Sequence, residues 1–304
     1  MNPARLRAYA QLLIVVLIWG IAPSVIKFAL GELPPFLFLT YRFFITTVFL
    51  LPFYLTSKGK GLSLSKLPLI LLISILGSTI NLGLLFYGTN LTTSLDASLI
   101  SATSPILVIL AGILFLREHV TSREKLGVSI TILGTLVIAV QSFFEAGTGA
   151  MHSVLGNTII FLSNVAFAAY LILSKKALRK GISPFAITFC MFFVGFLTTI
   201  PLALSEVRIS EILPKLANIS FSAHLAVIYI ALLSGALAYF LYQRAQKTIE
   251  ASEASVFNYL TPIVTLPVAT LWLHERITTP YIVGLIVIAT GVILAGWKKS
   301  KKTS

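Results

Sequence analysis

Charge is what this sequence has least of. Only 11% of its 304 residues are Asp, Glu, Lys or Arg, where soluble domains carry roughly 25%. So little charge cannot cover a water-facing surface, which excludes a soluble globular fold. Cysteine is all but missing. Cys190 stands alone, so an internal disulfide and a C-x-x-C redox or zinc site are both excluded. No P-loop, H-E-x-x-H or G-x-G-x-x-G is present, which leaves ATP-driven pumping by this chain without support. Acidic groups are absent where membrane chemistry would need them. All ten Asp and Glu and all four His fall in loops or at the ends of apolar runs. Proton movement through a membrane usually uses an intramembrane Asp, Glu or His. An intramembrane hydrolase would need a Ser-His pair, a carboxylate dyad or a metal cluster. Neither proton coupling of the usual kind nor an enzyme is expected, and no cofactor.

What is there is apolar. Hydrophobic residues make up 57% of the chain, and the mean hydropathy is +0.95. Apolar runs fall at 8–30, 35–56, 67–87, 95–116, 125–143, 154–178, 184–204, 223–243, 253–273 and 279–297. Each is near the roughly 20 residues that a spanning helix needs. The first run is no signal peptide, being too long and lacking a small-residue cleavage site after it. Residues 144–153 read as a linker between two halves, and 205–222 as the longest loop.

The net charge of +13 could suggest nucleic acid, but its distribution argues for membrane topology. With the N-terminus inside, Lys27, Arg208, Lys215 and Arg276 lie outside and Arg42 lies within a span. The other eighteen of the 23 basic residues fall inside. That asymmetry puts both termini in the cytoplasm of a multi-pass protein of the cell membrane.

The ten runs divide five and five, and the sequence repeats. Shifted by 157 positions, residues 97–127 lie on residues 254–284 without a gap. Pro105 meets Pro262, Leu116 meets Leu273, Glu118 meets Glu275 and Gly127 meets Gly284. Five spans per copy is an odd number, so the second copy must cross the membrane upside down. Inverted repeats are common in secondary transporters, whose sites lie near mid-membrane between the copies. Each copy carries a proline at the centre of an apolar run, and such a proline removes a bond to the carbonyl four residues earlier. The carbonyls expected to be freed are those of Ser101 and Asn258, facing protein or a water-filled cavity.

Residues 19–44 add a more specific signal. Trp19-Gly20, Lys27, Pro35 and Arg42-Phe43, in that order, closely resemble the opening of EamA-type transporters of the drug/metabolite transporter superfamily. Ser104-Pro105, the glutamate turn at Glu118 and Gly127 fit the same resemblance, each echoed in the second half. It implies an all-α membrane protein with ten transmembrane helices as two inverted five-helix EamA repeats, 8–143 and 154–297. It also implies alternating-access movement of metabolites, amino acids or drugs, usually outward. The second half departs from the pattern: Phe167-Ala168 replaces Trp-Gly, Lys175 keeps the lysine, and Met191 stands where Arg42 would.

Polar residues at helical spacing supply site candidates. Buried amides have donors and acceptors to satisfy, which singles out Asn81, Asn164 and Asn258. Ser101, Pro105 and Pro262 join them at the proline positions, and Trp19, Tyr170, Tyr239 and Tyr242 could wall an apolar-aromatic pocket. Serine stripes serve helix contacts more often than ligands. Lys27 and Arg42 have two readings: a snorkelling lysine with an arginine bonded to loop carbonyls, or a cationic outer vestibule for a carboxylate or phosphate. The expected partners are a small-molecule substrate and the lipid bilayer, with no nucleic acid; a homodimer is an open option. A channel or a non-transporting membrane scaffold is the alternative, though a pore would show a more continuous polar lining. Reporters fused after Ser57, Thr121, Gly181 and Ser304 should register cytoplasm, and fusions near Gly149 and Ser210 the exterior. An external signal at Thr121 would break the inverted-repeat reading.

Overall fold

The structure is a computed structural model that describes residues 3–56, 64–117, 122–123, 125–127, 129–130, 133–134, 150–277 and 279–296. Among these residues there is helix and turn and no strand. The helices are α1 (Pro3–Leu30), α2 (Pro35–Thr56), α3 (Leu67–Leu91), α4 (Ser94–Leu116), α5 (Ala150–Arg179) and α6 (Pro184–Glu206). They continue as α7 (Ile209–Asn218), α8 (Phe221–Thr248), α9 (Ala251–Trp272) and α10 (Thr279–Gly296). Eight of them, α1–α6, α8 and α9, are long and apolar enough to cross a membrane. The expected span at 125–143 and the turn at Glu118 lie largely outside the described residues.

Helix is the form these runs must take, because it satisfies every backbone group within the segment where no water can. Outward faces stay apolar: Leu13, Ile14 and Leu17 on α1, Phe44, Val48 and Phe49 on α2, and Leu110 and Leu114 on α4 are all exposed. A patch of that size in water would drive association, whereas lipid covers it without cost. One element was not expected. The stretch read as a loop at 205–222 contains α7, with Ile209, Ile212, Leu213 and Leu216 at helical spacing. Ile212 and Leu216 pack on the bundle while Ile209 and Leu213 remain exposed.

Helix ends are where a membrane fold must find extra partners, and here the partners come from far along the chain. At the end of the bundle that holds Leu30 and Leu91, Glu206 accepts from the Phe36 and Leu37 amides at the start of α2 (2.8 and 3.0 Å). Glu275 accepts from the Ser94 and Leu95 amides at the start of α4 (2.8 and 3.0 Å). Glu32 accepts from the amide and hydroxyl of Ser220, ahead of α8 (both 2.6 Å). An anion at a helix N-terminus satisfies open N–H groups and meets the positive end of the dipole. The Ser220 bonds hold the Glu32 carboxyl below the usual range. That tie is present in full above the ordinary carboxylate pKa and is lost as pH falls through the lowered value.

Lysines do the converse at C-termini. Lys27 donates to the Thr89 and Asn90 carbonyls at the end of α3 (both 3.2 Å). Lys175 donates to the Gln246 and Ile249 carbonyls at the end of α8 (2.5 and 2.6 Å). In the numbering of the expected spans, the first ties span 1 to span 3 and the second ties span 6 to span 8. A second matched pair lies in the backbone. Arg117 and His274, 157 positions apart, end α4 and α9 with φ of 55° and 53°, a left-handed conformation that is uncommon outside glycine.

The buried tie should matter more than the half-buried one. Lys175→Met leaves buried carbonyls without a donor, which costs about 1–3 kcal/mol, while water can take over from Lys27. Thermal unfolding in detergent should therefore show a larger loss for Lys175→Met than for Lys27→Met; equal losses would contradict this account.

Candidate functional site

A cavity of about 120 Å³ lies inside the bundle. Its walls come from α1, α2, α3, α4, α5, α8 and α9. A cavity of roughly 150 Å³ accepts benzene, so this one is of small-ligand size. The space is displaced toward the end that holds Leu30 and Leu91, where Ile26, Phe86, Thr89 and Ala97 line it. Toward the other end it meets an aromatic cluster. Trp19 stacks on Tyr242 with ring centroids 5.4 Å apart and meets Tyr239 edge-on at 5.1 Å. Phe167 lies between Trp19 and Tyr170, at 6.1 and 6.0 Å.

Of the residues singled out above, Trp19, Arg42, Asn81, Ser101, Asn164, Tyr239 and Asn258 line this cavity. Lys27, Pro105, Tyr170, Tyr242 and Pro262 do not. Tyr170 and Tyr242 stand behind the lining rings, and Tyr170 accepts from Gln243 Nε2 at 2.7 Å. Lys27 is committed to the end of α3. The vestibule pair is therefore split: Arg42 is 1% exposed, bonds no loop carbonyl and stands in the cavity wall.

The two prolines also act differently from the expectation of a proline inside a continuous helix. The helix breaks first, at Ala102 and Thr103 in α4 and through a 3₁₀ stretch, Phe257–Leu260, in α9. Pro105 and Pro262 then sit in the first turn of the resumed helix, where a missing N–H costs nothing. The break in α4 is repaired by Asn164, whose Nδ2 donates to the Ile100 carbonyl (2.6 Å) and to Thr103 Oγ1 (2.9 Å). The carbonyl of Asn258, expected to be free, accepts from Thr261 Oγ1 at 2.6 Å and from the Thr261 amide. Its side chain is another matter. Asn258 Oδ1 is buried and has no hydrogen-bond partner.

Two wide-turn segments shape the walls. Ile75–Leu82 in α3 and Tyr229–Leu237 in α8 are π-helical, a form often found at functional sites. Each brings a glycine against a neighbour. A Cβ on Gly77 would sit 2.5 Å from Tyr170 and 2.9 Å from Met191. One on Gly235 would sit 3.3 Å from both Arg42 Nη2 and Phe192. Met191 is the residue that replaces arginine in the second half, so the two contacts are counterparts. Trp19 Nε1 donates to the Ser234 carbonyl within the second π segment (3.1 Å). On the facing wall Asn81 Nδ2 donates to the Ser163 carbonyl at 2.9 Å. Ser98 Oγ donates to Thr265 Oγ1 (2.9 Å), which reaches the Gly20 carbonyl (2.6 Å) and so joins α4, α9 and α1.

Sequence reasoning missed these two π segments, a third at Gly112–Leu116 in α4, and the lining roles of Ile26, Phe86, Thr89, Ser234 and Thr261. Gly77 and Gly235 inside apolar runs were the signal available, since an isolated glycine there usually has a packing reason. Among the described residues no group of three His, Cys, Asp or Glu comes together to hold a metal.

Known proteins agree with this architecture. A solved crystal structure aligns over 95% of this chain and 96% of its own, with a TM-score of 0.69; at 18% identity it shows a shared fold alone. An uncharacterized transporter of Bacillus subtilis (strain 168), YdfC, is 30% identical over 93% of this chain and 89% of its own. A protein of Escherichia coli (strain K12) named as a probable amino-acid metabolite efflux pump is 24% identical over 95% of this chain and 96% of its own. The model of the EamA-like transporter family matches residues 6–140 and again 154–297. This chain is a multi-pass membrane protein that belongs to the EamA-like transporter family.

Proposed function

We propose that this protein is a secondary exporter of small metabolites, such as amino acids or related amphiphilic compounds. It works by alternating access between two inverted five-helix repeats, 8–143 and 154–297, with ten spanning helices. It resides in the cell membrane with both termini in the cytoplasm. The observation that carries the reading is one cavity lined from both halves of the chain, with amide and hydroxyl groups set among aromatic rings. Ligand sites have this make-up: an apolar lining with a few polar groups that fix orientation. The matched lysine ties, the left-handed ends at Arg117 and His274 and the two π segments support a repeat that extends to local geometry. The name of the Escherichia coli relative supports amino acids and outward flux.

In this reading Trp19, Asn81, Ser101, Asn164, Tyr239 and Asn258 form the substrate site. Tyr170 and Tyr242 back its aromatic wall, and Pro105 and Pro262 set the helix breaks beside it. Asn258 Oδ1 takes a donor from the ligand, being an acceptor with nothing else to accept from. Metabolite profiling of the medium from cells overexpressing or lacking the protein tests the function: export predicts opposite changes in the same compounds. Asn258→Leu should keep membrane abundance and thermal stability while transport is lost. Unchanged transport kinetics would falsify the site, and loss of folded protein together with transport would make Asn258 a structural residue.

A further inference from the structure

Arg42 is the only charged residue among those lining the cavity. It is 1% exposed, and the only ion pair among the described residues lies elsewhere, between Arg5 and Glu253. Its Nε and Nη2 have no hydrogen-bond partner. The guanidinium carbon lies 5.2, 5.5 and 5.8 Å from the ring centres of Phe86, Phe43 and Phe192. Ring faces attract a cation, but they do not satisfy its N–H groups. Burying a charge is costly unless it is both paired and hydrogen-bonded. This site supplies neither from the protein. Gly235 lets the guanidinium lie close against α8, where a Cβ would stand 3.3 Å from Nη2.

From this we infer that Arg42 is the carboxylate-binding residue of the cavity, and that the protein's substrates are small monocarboxylates. The proposal rests on the reading above that the cavity is the substrate site. A planar guanidinium matches a carboxylate bidentately. One lining cation neutralises one negative charge, so a phosphate dianion would stay under-compensated. The rings of Trp19, Phe167 and Tyr239 cover the apolar remainder.

The test uses the full-length protein in detergent and four probes: L-leucine, 4-methylpentanoate, leucinamide and inorganic phosphate. Leucine and 4-methylpentanoate keep the carboxylate, with and without the amine; leucinamide removes it. The two carboxylates should raise the unfolding temperature of the wild type, and leucinamide and phosphate should not. This comparison needs no variant. In Arg42→Met the apparent Kd for the carboxylates should rise roughly 10- to 100-fold, the loss expected for hydrogen bonds to a charged group. Arg42→Lys should recover part of it as a point charge. Stabilisation by leucinamide equal to that by leucine, undiminished carboxylate binding to a folded Arg42→Met, or no response to either carboxylate would each overturn the proposal. Counterflow in proteoliposomes separates the two readings. Leucinamide moving where the carboxylates do not would sink the role of Arg42 and leave transport standing. Carboxylate binding that depends on Arg42 without any counterflow would sink transport and leave the binding role.

Discussion

Every backbone N–H and C=O of this protein must find a partner in surroundings that offer almost no water, and the rest of the structure follows from that constraint. An unsatisfied group in hydrocarbon costs several kcal/mol. Within a helix the demand is met automatically; at ends and interruptions it is not. The chain has few charged residues, and several of them are used at such ends. Glu32, Glu206 and Glu275 serve N-termini, and Lys27 and Lys175 serve C-termini. The interruption in α4 is met by Asn164 from α5. Polar side chains are thus largely assigned to the backbone, which sets apart the two cavity-lining residues that keep buried polar atoms without a partner, Asn258 (Oδ1) and Arg42 (Nε and Nη2).

Much of the fold could be read from the sequence because its strongest signals are collective. Apolar runs, the lysine and arginine asymmetry and the 157-residue register each average over many residues, and a local exception leaves them intact. The candidate residues were legible to the extent that burying an amide is costly: Asn81, Asn164 and Asn258 all line the cavity. What each amide does was not legible. Asn164 and Asn81 spend their donors on neighbouring helices, and only geometry distinguishes that from an oxygen left over for a ligand. Arg42 shows the same limit from the other side. Its position two turns into α2 suited a wet vestibule as well as a dry wall, and the decision came from Phe43, Phe86 and Phe192, two of them far away in sequence.

The π segments were hidden for a different reason. A wide turn holds extra residues without changing composition, so hydropathy does not register it. Helical spacing counted through Ile75–Leu82 or Tyr229–Leu237 slips in phase, and a stripe drawn on one side no longer continues on the other. That is why Ser234 escaped notice although its carbonyl holds Trp19. Helix α7 was missed by omission. Its apolar residues recur at the right spacing, but a ten-residue stretch does not compete with neighbours twice its length.

The end ties divide in a way that bears on how the molecule can deform. Lys27 and Lys175 each fasten helices of one half to one another. Glu32, Glu206 and Glu275 each reach from one half to the other, all at the same end of the bundle. Glu32 sits at the rim, where water can replace a carboxylate on an amide N–H at little net cost. The Lys175 tie is buried, and no such replacement is at hand. Mechanically these carboxylates are removable latches between the halves at that rim, while at the opposite end Arg5 pairs with Glu253 and Lys66 donates to the Lys180 carbonyl. Of these ties, the Glu32 latch is the easier to open and the buried Lys175 tie the harder to break.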